Sequence, residues 1–381
     1  MTLDDAMHKE VRRVFHDFAA KEIAPGARER DQHGAFPHDL VQPLAEIGMF
    51  RMILPPELGG DGADTVSFVV ALEEIAQADQ SVAALVANQV GLSAMPLARF
   101  GTREQRARWL PDLLSGKTLG SFGLTEPGGG SDTASIRTRA RRDGEGWVLD
   151  GAKTFITNAG LESTAFVIIA ARTGERADGR PAAGTFIVDT HTPGFSVGPP
   201  LKKLGWRASD TREVFLEGVR VPDSAVLGDP ECGLQQFLAA LDFGRIQIAT
   251  LGVGLIQSAL DFAVDYASAR EAFGQRIDRF QAVAFKLADM EVDVHAARAL
   301  TLRAAALRDA GRPFSHEAAI AKLHSSEAAM RAAHQCLQIH GGAGFMDDSD
   351  AARLFRDAKI LEIGEGTSEI QRLVISRRLT A

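Results

Sequence analysis

Trp147-Val148-Leu149-Asp150-Gly151 marks the point at which the chain changes character. A short apolar run closes on an Asp-Gly pair, the dipeptide that tolerates the positive φ of a tight turn, so a β-hairpin is expected here. The same texture recurs at Thr164-Ala165-Phe166-Val167-Ile168-Ile169, Gly184-Thr185-Phe186-Ile187-Val188 and Glu213-Val214-Phe215-Leu216. Each run is short, rich in β-branched or aromatic residues and bounded by turn formers. No helical pattern separates them. The region from about 118 to 226 therefore predicts an antiparallel barrel or sandwich rather than a Rossmann sheet.

On both sides of this region the period is that of helices. Leu72, Ile75, Ala76, Val82, Leu85 and Val86 recur at roughly helical spacing, with breaks at Pro25, Pro37, Pro55-Pro56 and Gly59-Gly60. Further on, Val283, Leu287, Met290, Val294 and Ala297 step by four and three, which gives an apolar seam suited to a helical bundle. Gly311-Arg312-Pro313 ends that helix, and another runs from about Ser315 to Gly341-Gly342. Ser368 with Gln371 reads as a capping box for a last helix ending near Leu379. The expected organisation is an α+β multidomain chain, helical over 1–117, β over 118–227 and helical over 228–381.

The length of 381 residues exceeds what most single cores hold, which agrees with that division. A net charge of -8 disfavours a general nucleic-acid binder, which needs a positive field to displace counterions. Cys232 and Cys336 offer neither zinc spacing nor a disulfide framework, and a reducing, cytoplasmic setting fits. The acidic start Met1-Thr2-Leu3-Asp4-Asp5-Ala6 does not read as a signal peptide, and no stretch is read as a membrane span. No GxGxxG follows a strand and no P-loop occurs, so a bound dinucleotide must be held some other way. No metal-ligand spacing is found; His334 and His340 lack it.

Several segments carry chemistry-bearing residues. Glu365 stands between Gly364 and Gly366 just before a helix, where the backbone bends freely and approaches a ligand closely. It reads either as a general base whose pKa burial raises, or as a surface glutamate before a helix. Phe122-Gly123-Leu124-Thr125-Glu126-Pro127-Gly128-Gly129-Gly130-Ser131-Asp132 is rich in donors and suits a flat polar ring or a phosphate chain, or is a flexible loop. Phe155-Ile156-Thr157-Asn158 sets an aromatic face beside a hydroxyl at a strand end. Arg270, ahead of Phe273-Gly274, is either a pyrophosphate clamp or a partner of a helix C-terminus. Asp242 and Arg245 are i,i+3 neighbours on a helix and form at least a local ion pair. The alternating Arg137, Arg139, Arg141 and Arg142 read as the wet face of a strand.

Five segments together resemble the acyl-CoA dehydrogenase family over nearly the whole chain. They are Leu124 to Asp132, Phe155 to Asn158, Arg270 with Phe273-Gly274, Gln338-Ile339-His340-Gly341-Gly342, and Glu365-Gly366-Thr367-Ser368-Glu369-Ile370-Gln371-Arg372, in the family's order and spacing. The resemblance implies an N-terminal helical domain, a middle antiparallel β-barrel and a C-terminal four-helix bundle. It implies FAD as cofactor. Phe122, Leu124, Thr125, Gly130 and Ser131, with Phe155 and Thr157, would line the flavin, and Ser131 would also touch the pantetheine. Arg270, Phe273 and Gln281 would hold the adenosine diphosphate part of a neighbouring subunit's FAD, which Gln338, Gly341 and Gly342 meet from the other side; Thr367 and Glu369 complete the cofactor site. Asp242, Arg245 and Gly366 would contact the acyl-CoA substrate. Glu365 would remove the α-proton of the thioester, with electrons passing to electron-transfer flavoprotein. A shared site implies a homo-oligomer, usually a homotetramer.

This chain also departs from the family pattern. Gly364 stands where many members have Tyr, and Phe155 where many have Trp. Gly364 removes bulk near the substrate α-carbon, which would admit a branched or cyclic acyl group. Some members carry the base on the helix of Asp242 and Arg245; the matching position here is Gly244, which has no side chain to serve. Three other readings stand beside this one: an acyl-CoA oxidase, disfavoured by length; a DNA-associated paralogue, disfavoured by the acidic total and by Glu365; and a purely structural paralogue, disfavoured because every cofactor segment is present.

Overall fold

A computed structural model describes residues 6–175 and 181–379. The acidic start of the chain, Ala6 apart, lies outside the described residues. The first region is helical: α1 (Ala6–Phe18), α2 (Ala27–His33), α3 (His38–Glu46), α4 (Thr65–Ala78), α5 (Gln80–Ala87), α6 (Met95–Phe100) and α7 (Arg103–Leu114). Asp64 and Asp79 cap α4 and α5 by accepting from backbone N–H groups of their first turns. A π-helical segment, Asn88–Ala94, joins α5 to α6.

The middle region holds β1 (Leu119–Gly123), β2 (Arg139–Asp143), β3 (Gly146–Thr157), β4 (Thr164–Glu175), β5 (Pro181–Asp189), β6 (Phe195–Val197) and β7 (Thr211–Pro222). They form one seven-stranded sheet in the order β1-β4-β2-β3-β7-β6, with β5 added on β4. The pairings trace an open path, and the sheet is not purely antiparallel. β1 lies parallel to β4, and β2 touches β4 in parallel at Arg139 and Arg172. The expectation of a wholly antiparallel sheet fails because β1 enters from the helical region, so no tight turn dictates its direction. β4 explains the apolar run read from the sequence. Phe166, Ile168 and Ala170 face the main core shared with the helices, while Val167, Ile169 and Ala171 face a second core inside the sheet.

Asp150-Gly151 is not a hairpin turn; it lies inside the 12-residue β3. The register against β7 slips between Leu149 and Gly151, and Gly151 has φ 152°, so the pair forms a bulge. Asp150 is held there as an acceptor from Gly218 N–H at 2.8 Å and as the ion-pair partner of Arg141 at 3.0 Å. A Cβ on Gly151 would lie 2.7 Å from Thr138 Cα, so the pair serves a close backbone approach.

The last region is built on α8 (Gly233–Ala269), α9 (Gln281–Asp309) and α10 (Ser315–His340), with α11 (Asp350–Leu361) and α12 (Ser368–Leu379) beside them. A short hairpin of β8 (Glu271–Ala272) and β9 (Gln275–Arg276) links α8 to α9. Met290, Val294 and Ala297 of the predicted seam are buried, and Val283 and Leu287 pack at its edge. Two helical stretches, Gln80–Phe100 and Gly233–Ala269, do reach the length and apolarity of a span, contrary to the sequence reading. In each, 83% of the most apolar window is buried inside the protein, which marks core helices. The start of α12 also differs from expectation. Thr367 caps it, its hydroxyl accepting from Ile370 N–H, while the Gln371 side chain turns back to donate to Gly366 O at 2.8 Å.

Candidate active site

Glu365 lies on the link between α11 and α12. Gly364 N–H closes the end of α11 on Ile360 O at 2.8 Å. Glu365 then takes φ 53° and Gly366 φ 95°. A left-handed glutamate costs on the order of 1 kcal/mol and persists only where its surroundings enforce it. The side chain turns onto α8. An ideal Cβ on Gly244 would lie 1.8 Å from Glu365 Oε2. The missing side chain at Gly244 is therefore the space the carboxylate occupies. The expected base, Glu365, and the rival position, Gly244, converge on one point.

The residue is half-buried as a whole, but its Oε2 is enclosed and has no hydrogen-bond partner among the described residues. Burial pushes the Glu365 pKa up to about 7, against the opposing pull of Lys322 and Arg245. Lys322, from α10, is fully buried and donates to Gly366 O at 2.7 Å. Burial brings its pKa down to about 8, opposed by Glu365. Arg245 is buried on α8, pairs with Asp242 at 2.5 Å, and leaves its Nε without a partner among the described residues. Asp242 is held in turn by the Ser315 hydroxyl at 2.7 Å.

The Phe122–Asp132 segment and the end of β3 form a second group. Thr154 N–H donates to Thr125 O at 2.9 Å, which sets Thr125 beside Phe155. The β3 register slips again between Lys153 and Ile156; Phe155 takes φ 61° and is turned outward, 67% exposed. Under this face lies a buried ion pair. Lys153 Nζ donates to Glu126 Oε1 at 2.8 Å and to Leu124 O at 3.1 Å, and Glu126 also accepts from the N–H groups of Arg137 and Thr138. Phe122 is buried and packs on Phe237, ring centroids 4.1 Å apart. Leu124, Thr125 and Thr157 are half-buried, and Gly130 and Ser131 are exposed.

The remaining predicted residues gather elsewhere. Arg270 follows the last turn of α8, Phe273 is 97% exposed at the tip of the β8–β9 hairpin, and Gln281 opens α9. Gln338, Gly341 and Gly342 are exposed where α10 ends. Tyr266 stacks on His340 with centroids 4.3 Å apart, which brings these two groups together at one end of the helices. Roughly seven turns of α8, about 37 Å at 1.5 Å per residue, separate Arg245 from Arg270. Thr367 is half-buried as the cap of α12, and Glu369 is exposed in its first turn. A Cβ on Gly364 would meet little more than Ile360 O at 3.4 Å. Sequence reasoning missed Lys322, the bond of Gln371 to the Gly366 carbonyl and the Lys153–Glu126 pair. A lysine amid the small apolar residues of α10 was the one visible signal.

Family models match three consecutive parts of the chain: the acyl-CoA dehydrogenase N-terminal domain over residues 5–117, the middle domain over 121–219 and the C-terminal domain over 231–380. The "Probable acyl-CoA dehydrogenase YngJ" of Bacillus subtilis is 50% identical over 97% of both chains. The solved butyryl-CoA dehydrogenase of Megasphaera elsdenii superposes with a TM-score of 0.95 at 36% identity, covering 100% of both chains. A glutaryl-CoA dehydrogenase from Mycobacterium smegmatis in complex with FADH2 superposes with a TM-score of 0.94 at 31% identity, covering 99% of this chain and 95% of the other.

Proposed function

The chain belongs to the acyl-CoA dehydrogenase family, whose members are FAD-dependent, and from this premise we propose that it converts an acyl-CoA thioester to the trans-2-enoyl-CoA with Glu365 as the base that takes the α-proton. The observation that carries the reading is the enclosed, unpartnered Glu365 carboxylate over Gly244. An α-proton of a thioester is far too weakly acidic for a carboxylate in water. A base with a pKa near 7 in a water-poor setting is better matched to that proton. In this reading the α-carbon approaches the Oε2 side of Glu365, and the Glu365 N–H, engaged in no backbone turn bond among the described residues, is available to polarise the thioester carbonyl. Arg245 and Asp242 beside it are suited to contact the polar arm of the substrate.

The residues fit the cofactor. An exposed aromatic face at Phe155, hydroxyls at Thr125, Ser131 and Thr157, and a glycine run anchored by a buried ion pair suit a flat, polar ring. Bound FAD supplies the acceptor for the β-hydrogen, taken as hydride. By the family likeness Arg270, Phe273, Gln281, Gln338, Gly341 and Gly342 serve the FAD of a neighbouring subunit, and the length of α8, which sets them far from the base of their own chain, accords with this. The enzyme is then a homo-oligomer, a homotetramer by family likeness, and electron-transfer flavoprotein is its acceptor. The likeness to a butyryl-CoA dehydrogenase makes a short straight acyl chain the first substrate to try.

The test is anaerobic bleaching of the FAD-loaded protein by butyryl-CoA and by longer, branched and cyclic acyl-CoAs. Glu365→Gln is expected to keep its FAD while turnover drops roughly 1,000-fold or more. Bleaching at the unaltered rate in that variant would move the base elsewhere.

A further inference from the structure

Lys322 is the second fully buried lysine of the chain, and unlike Lys153 it has no carboxylate within ion-pair distance among the described residues. A buried ammonium is costly to retain without a matched partner. Its Nζ spends a hydrogen bond of 2.7 Å on a backbone carbonyl, that of Gly366. Gln371 Nε2 donates to the same oxygen at 2.8 Å from the other side. The carbonyl directly after the base is thus clamped from α10 and from α12. The peptide so held lies next to the two left-handed residues that turn the carboxylate onto Gly244.

We propose that Lys322 is the positioning residue of the catalytic base, holding Glu365 in its left-handed conformation through the Gly366 carbonyl and facing its carboxylate with a positive charge. This inference rests on Glu365 being the base. The charged groups acting on the Glu365 carboxylate are Lys322 from α10 and Arg245, with its partner Asp242, from α8; Glu362 at the end of α11 and Glu369 on α12 act on Lys322 in turn. Lys322 and Arg245 both pull the Glu365 pKa down while burial pushes it up. Loss of the Lys322 charge leaves Arg245 alone to oppose burial. The Glu365 pKa then rises further, and since the base works only when ionised, the acid limb of the rate profile moves to higher pH.

The experiment compares the FAD-loaded wild type with Lys322→Met, Lys322→Gln and Lys322→Arg. Rate against pH, KM, kcat, FAD content and thermal midpoint are measured. In Lys322→Met the acid limb is expected to move up by about one pH unit. At neutral pH kcat is expected to fall roughly 100-fold with little change in KM, the cost of a base displaced by an ångström. Lys322→Arg returns the limb towards its wild-type position. If Lys322→Met does not give folded holoenzyme, Lys322→Gln carries the test, because it keeps a donor and loses the charge; its limb must move. An unmoved limb, with a rate loss no larger than the loss of folded protein, would overturn the proposal and leave Lys322 a packing residue. The Glu365→Gln variant separates the two levels. If it still turns over, the base assignment fails; if it is inactive while the Lys322 variants keep the wild-type limb, only this inference fails.

Discussion

At the scale of single residues, Glu365, the proposed base, and the glycine opposite it form one unit. The sequence points to Glu365 only through its neighbours, because Gly-Glu-Gly-Thr-Ser on its own describes many helix approaches. Gly244 was legible as a position lacking a base. That it is also the seat of the Glu365 carboxylate became visible only when α8 and the α11–α12 link were placed together. Gly244→Ala tests this. A methyl there would lie 1.8 Å from Oε2, and the flexible carboxylate must give way before the helix does. The expected result is a roughly 100-fold loss of kcat with the thermal midpoint nearly unchanged. A variant of normal activity would show that the carboxylate works from another position. Lys322 was only faintly legible at this scale: its small apolar neighbours on α10 hint at burial, but nothing local says that it meets the carbonyl of Gly366.

At the scale of elements, β3 shows how a strand carries function at its irregularities. Its two register slips do different work. The one at Gly151 lets the backbone of Thr138 come close, and the one before Ile156 turns Phe155 outward. The sequence pattern located the strand but misread Asp150-Gly151 as a turn, because an Asp-Gly pair meets the needs of a bulge as well as those of a hairpin. Beneath the outward face, Lys153 and Glu126 tie the glycine segment to the strand. Removal of one partner strands a charge in the interior, which destabilises more than the intact pair stabilises. Lys153→Met is therefore expected to lower stability by about 3 kcal/mol in denaturant titrations. It is also expected to weaken FAD retention on dilution, since the Glu126–Gly129 turn loses its anchor. Undiminished FAD retention would show that the loop holds its shape without the pair.

At the scale of the whole molecule, a chain of buried charges joins the regions. Arg30 pairs with Asp79 at 2.9 Å within the N-terminal helices, Arg356 of α11 reaches Asp31 of α2, and Asp357 accepts from Trp206 N–H, on the segment before β7, at 2.6 Å. Burial pushes the Asp357 pKa up to about 7, opposed by Arg353. These contacts link residues far apart in sequence, so their loss should be felt across the helical regions and not in one element. Arg356→Met leaves Asp31 buried without its partner and is expected to cost about 3 kcal/mol. The midpoint should fall for probes in both the N-terminal and C-terminal helices together; a drop confined to α11 would show that the network does not couple them.

The sequence by itself determined the division into helical, β and helical stretches, because hydrophobic period is a local property that survives without the fold. It also determined the family, because five short segments in register are specific together although none is so alone. Only the tertiary structure decided the parallel entry of β1, the use of Asp150-Gly151 as a bulge, the burial of the two most apolar helices in the core, and the Thr367 cap of α12. The same holds for the site. A carboxylate becomes a base when burial raises its pKa and a neighbouring helix leaves it room. Gly244 of α8 leaves the room, and Arg245 of α8 and Lys322 of α10 temper the rise in pKa that burial causes; their distance along the chain from Glu365 hides them from any local reading.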